Sequence, residues 1–145
     1  MWQRLDRPGM EITYVDDLDH AAGTQIGTDY ELRWRLDHTR LELELNRREL
    51  VSVELGEADF FDLYASPFFN SLPVLRDGLL MGGPARDYVM RFIHVPSLTS
   101  EPSNQRYEPR GAGLIHYSSG TFATDIEFDS DGFVTVYHGS LVRVI

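Results

Sequence analysis

The sequence predicts an all-β domain: a strongly curved antiparallel sheet, a half-barrel or β-roll, with residues 1–145 forming one unit. Three observations predict it. Gly113 to Gly139 reads as three consecutive strands joined by tight turns at Ser119-Gly120 and Asp129-Ser130-Asp131-Gly132. Tyr30 to Leu45 alternates apolar and charged residues with period two on both sides of His38-Thr39. Helical periodicity is almost absent, and a chain with nine to eleven strand signals must curl, close or split its sheet to protect the apolar face.

In chain order, Met10 to Val15 is a short strand after Pro8-Gly9, and part of the following connection pairs near Thr24 to Gly27. Tyr30, Leu32, Trp34 and Leu36 then alternate with Glu31, Arg33, Arg35 and Asp37. A two-residue turn at His38-Thr39 sets Leu36 against Leu41, Trp34 against Leu43 and Leu32 against Leu45. On the other side Arg35 meets Glu42 and Arg33 meets Glu44. Apolar pairs thus share one face and opposite charges the other, each pair contributing roughly 0.2–1 kcal/mol. Leu50 to Leu55 continues as a strand whose parity demands a bulge or a longer loop after Leu45. Ala58 to Ala65 is the next strand.

The alternation stops at Ser66 to Gly83, SPFFNSLPVLRDGLLMGG, an apolar segment with two prolines and three glycines. It reads as a buried crossover, a short helix or a flap over a cavity. Arg86 to Val95 returns to strand. Pro96 to Pro109 is a polar connection with one short edge strand around Arg106-Tyr107-Glu108. In the closing strands, turn pairing sets Tyr117 opposite Phe122, Ile115 opposite Thr124 and Ile126 opposite Thr135. One face is aromatic and β-branched; the other carries His116, Ala123, Asp125, Glu127 and Val136.

Composition narrows the function. Hydrophobic residues make up 42% of 145 residues, enough for a core, and no apolar run approaches the roughly 20 residues a membrane helix needs. No apolar leader follows Met1, and cysteine is absent, so disulfides, thiolate metal sites and cysteine nucleophiles are excluded and a cytoplasmic location is expected. The net charge is -10, with no lysine, which argues against nucleic acid and anionic surfaces and fits either a GC-rich genome or adaptation to high salt.

No phosphate loop, dinucleotide fingerprint or nucleophile elbow is present, and no cofactor is expected. His116 and His138 flank Ala123 in the predicted register, with Asp125 diagonal to both. They sit roughly 10 Å apart, too far to share a metal. Asp59 with Asp62 and Asp125 with Glu127 are carboxylate pairs of the kind an acidic chain produces by coincidence. The aromatic residues point further. Trp34, Tyr117 and Phe122 can wall an apolar cavity under a curved sheet, with Phe68 and Phe69 in its lid, and Asn70, Arg76 or Tyr107 can anchor a polar head at its rim.

The runs Trp2 to Glu11, Tyr30 to Asp37, Ser66 to Pro73, Arg91 to Pro96, Gln105 to Tyr107 and Tyr117 to Phe122, followed by Asp125 and Asp131 to Val134, carry a resemblance across nearly the whole chain. In their order they resemble a bacterial and archaeal glycolipid-binding family, formerly a domain of unknown function, whose fold is similar to bacterial lipoprotein carriers. The resemblance implies a curved sheet and a lipid or glycolipid ligand bound without catalysis, and it carries over no catalytic residue. Two other readings stand beside it. One is a small enzyme on carbohydrate or lipid using Asp125 with His116 or His138. The other is an interaction module that pairs through an edge strand, as in a homodimer.

Overall fold

The computed structural model describes residues 1–6 and 8–144. Among these described residues thirteen strands follow in chain order: β1 (Trp2–Arg4), β2 (Met10–Asp17), β3 (His20–Ile26), β4 (Glu31–Asp37), β5 (Arg40–Leu45), β6 (Glu49–Glu54), β7 (Phe60–Leu63), β8 (Arg86–Ile93), β9 (Ser100–Gly111), β10 (Leu114–Ser119), β11 (Phe122–Phe128), β12 (Val134–Tyr137) and β13 (Leu141–Arg143). They form one sheet ordered β6-β5-β4-β3-β2-β1-β13-β12-β11-β10-β9-β8-β7. Among the described residues every strand pairing is antiparallel except β7 with β8. The sheet is open but strongly curved. Leu41, Leu43, Val51 and Val53 from one end share a hydrophobic cluster with Phe61 and Leu63 from the other.

The β4–β5 hairpin has the predicted register, from Leu32 opposite Leu45 to Leu36 opposite Leu41. His38 takes the left-handed conformation that its two-residue turn needs (φ 53°). A three-residue loop, Asn46 to Arg48, supplies the longer connection to β6 and sets Leu43 opposite Val51.

Ser66 to Gly83 is both a crossover and a helix. Parallel strands cannot be joined by a hairpin, so β7 reaches β8 through a long connection. It carries α1 (Phe68–Arg76) and a 3₁₀ turn, Leu79–Met81. Pro73 lies in the helix, where it removes one donor without ending it, and Phe68 through Val74 are all buried. Phe68 and Phe69 stack around Trp34, with ring centroids 5.8 and 4.9 Å from it. Each fully buried ring stabilises by roughly 2–3 kcal/mol relative to exposure. Val74, farther along the helix, enters the second cluster with Tyr107, Ile115, Ile126 and Val134. The helix therefore fills the concave side of the sheet.

Three expectations need correction. The β10–β11 turn is Gly120-Thr121, so Tyr117 faces Thr124 and Ile115 faces Ile126. This slip of two residues keeps every side chain on its predicted face, because strand periodicity is two. A bulge at Glu127/Phe128 sets Ile126 opposite Tyr137 instead of Thr135. The Pro96 to Pro109 region holds a twelve-residue strand, β9, inside the sheet. Its prolines sit where a neighbour is missing: Pro102 lies beyond the β10 ladder and Pro109 beyond that of β8.

Candidate functional site

Short strands sit together in the middle of the sheet order: β1 and β13 have three residues each and β12 has four. Beside them opens a cleft of about 500 Å³. It is lined by Arg4 and Tyr64, by the buried Asp62 and Asn70, and by Tyr117, Phe122, Thr124, Tyr137 and His138. Phe92 adds a further aromatic ring to the lining.

Asp62 is the central group. It lies on β7 between Phe61 and Leu63, and all three are buried. Phe61 and Leu63 join the first cluster, while Asp62 turns to the cleft and accepts a bond from Gln105 Nε2 at 2.7 Å. Burial pushes its carboxyl up to about 6, against the pull of that one bond. Burial, and then the proximity of Asp62, raises the phenols of Tyr107 and Tyr117 above their ordinary range. Tyr137 is raised by burial and by both Tyr117 and Asp62. The phenols therefore stay neutral beside Asp62.

A second polar seam adjoins the cleft. Glu11 on β2 is fully buried and accepts from Ser66 Oγ (2.5 Å), Thr13 Oγ1 (2.8 Å) and Gln25 Nε2 (3.1 Å). Burial pushes its carboxyl up to about 7 against those bonds. Trp34 Nε1 is buried and has no partner at hydrogen-bonding length among the described residues, yet lies near enough to favour the charged form of Glu11. Gln25 Nε2 also reaches the Tyr64 carbonyl at 2.8 Å. Arg4 donates to Tyr64 Oη and, through two nitrogens, to Asp6 at the cleft wall.

Of the residues singled out in the sequence, Asn70, Tyr117 and Phe122 meet in this cleft. Tyr107 is buried behind it and accepts from Asn70 Nδ2 at 3.1 Å. Trp34, Phe68 and Phe69 lie in the packed core. Arg76 stands elsewhere, ion-paired to Asp19 at 3.1 Å. His116 and His138 flank Asp125 rather than Ala123, and each has its own acid. His116 Nδ1 contacts Asp125 Oδ1 at 2.8 Å, and His138 Nε2 contacts Glu127 Oε2 at 2.8 Å.

Sequence reasoning passed over Asp62, Glu11 and Arg4 as site residues. In the sequence Asp62 draws notice only as a carboxylate pair with Asp59, of the kind coincidence produces; the further signal is a carboxylate between two large apolar residues, Phe61 and Leu63, on a strand. Among the described residues no helix is long and apolar enough to cross a membrane.

Residues 18–143 match the family model described as "Putative glycolipid-binding". The fold is similar to the crystal structure of a DUF1089 family protein from Pseudomonas aeruginosa, with 21% sequence identity and a TM-score of 0.78. That likeness covers 99% of this chain and 96% of the other. No curated protein gives a match. With most of its length inside the family match, this chain belongs to that family.

Proposed function

We propose that the chain binds, without turning it over, an amphiphile with a neutral polyol head, such as a glycolipid. The head sits in the cleft against Asp62, Asn70 and Tyr117, and the tail leaves past Phe122 and Phe92. One observation carries this reading: a buried carboxylate and a buried amide share a cleft with aromatic rings. Fixed acceptors and donors recognise hydroxyls, and ring faces suit the apolar faces of a sugar. About 500 Å³ lies within the roughly 300–1,000 Å³ usual for small-molecule sites. The core beneath α1 is filled by Trp34, Phe68 and Phe69, so the tail is assigned to the rim. The net charge of -10 disfavours anionic heads.

Nuclear magnetic resonance titration with an alkyl glucoside below its micelle threshold tests the reading. Saturable shifts are expected at Asp62, Asn70, Tyr117 and Thr124, with much weaker effects from an alkyl sulfate of equal chain length. Asp62→Asn is expected to weaken binding about tenfold, since a hydrogen bond to a charged group contributes about 1.5 kcal/mol. Shifts confined to another face, or none that saturate, would refute it.

A further inference from the structure

A second constellation lies away from the cleft, where the β2–β3 and β4–β5 turns meet. His20 opens β3 and pairs across the sheet with Asp37, the last residue of β4. His38 follows in the turn. Its backbone N–H donates to the Asp19 carbonyl at 2.8 Å, which fixes the two turns to each other. The two imidazole rings stand edge to face, with centroids 4.5 Å apart. His20 Nε2 is 3.4 Å from Asp37 Oδ1, and His38 Nε2 is 4.0 Å from the same oxygen. The three ligand-capable atoms all lie within 4.8 Å of one another. Ligands placed about 2.1 Å from a tetrahedral ion stand roughly 3.4 Å apart, so small side-chain rotations bring all three to one ion.

The group behind His20 makes this more than a chance grouping. Both carboxylate oxygens of Asp17 contact His20 Nδ1, at 2.9 and 3.1 Å. A carboxylate on one ring nitrogen takes its N–H, so the lone pair is left on the other nitrogen, here Nε2 facing Asp37. Asp17 is itself held, accepting the Asp19 backbone N–H at 2.8 Å. Carboxylate, imidazole and ligand position then follow in the order found behind metal-bound histidines.

We infer that His20, Asp37 and His38 form a binding site for a divalent transition metal of the zinc, cobalt, nickel or copper type, with Asp17 as the positioning residue of His20. Two imidazoles select these ions over calcium and magnesium, which prefer all-oxygen sets. The three side chains are partly exposed, so the remaining coordination positions stay open to water or to a further ligand.

Untagged protein titrated with Co²⁺ in metal-free buffer tests the inference, read by visible absorption and by competition with Zn²⁺. One saturable equivalent is expected. His20→Gln and His38→Gln should each weaken it at least tenfold. Asp17→Asn should also weaken it about tenfold, although Asp17 touches no metal. The double variant His116→Gln with His138→Gln should bind as the wild type does. A wild-type protein with no saturable Co²⁺ spectrum would overturn the site, as would unchanged binding in His20→Gln and His38→Gln or a loss that follows His116 and His138. Independently of any variant, Ni²⁺ should broaden amide resonances of residues 17–20 and 36–39 first; broadening centred elsewhere would overturn the assignment.

Discussion

Replacing Glu11 by glutamine should make the protein more stable above neutral pH. The folded chain holds this carboxyl at about 7, against 4.5 in an open chain. Between those values the folded state binds more protons than the unfolded state, so stability falls as pH rises. At about 1.4 kcal/mol per pH unit, ionising Glu11 in place costs the fold about 3 kcal/mol. The penalty is absent below pH 4.5 and complete above 7. Glutamine removes it without losing partners. Its amide nitrogen, placed at Oε1, donates to the hydroxyls of Ser66 and Thr13, and its oxygen accepts from Gln25 Nε2. Urea unfolding of both proteins from pH 4 to 8.5 gives the comparison. The difference in stability should grow with pH toward about 3 kcal/mol in favour of the variant. Asp62, at about 6, adds a similar slope to both proteins and cancels in the difference. Parallel pH curves for the two proteins, or a variant less stable than the wild type at pH 8, would refute the reasoning.

Two further predictions concern packing and charge. A Cβ on Gly23 would stand 2.5 Å from the Trp34 indole that lies across it. Gly23→Ala should therefore cost about 1–3 kcal/mol in urea unfolding, and a cost below about 0.5 kcal/mol would show that the ring moves aside freely. With 23 acidic and 13 basic residues, the folded chain repels itself. Raising salt from ~0.05 to ~1 M should raise the urea midpoint as this repulsion is screened, and a falling midpoint would contradict it.

How far the sequence can be read depends on the distance over which each element is specified. The β4–β5 register was legible because alternation, turn length and cross-strand charge all constrain the same few residues. The faces of β10 and β11 were legible although their turn was misplaced by one residue, since a slip of two preserves side-chain direction. Trp2 opposite Arg143, which joins the ends of the chain through β1 and β13, has no local signature at all. β2 reverses the usual rule. It exposes Met10, Ile12 and Tyr14 and buries Glu11, so alternation alone points the wrong residues inward.

The sequence by itself determined the all-β class, the hairpin registers within one or two residues, the aromatic face and the family to which the chain belongs. All of these rest on near-neighbour periodicity and turn chemistry, or on motif order. The tertiary structure decided whether the aromatic face packs or stays open. α1 covers part of it with Val74, while Tyr117 and Tyr137 are left to line the cleft. It also decided that Asp62 and Glu11, two acids among 23, are buried. Burial depends on which distant strands close over a side chain, and desolvation, which gives these carboxyls their raised affinity for protons, exists only after that closure.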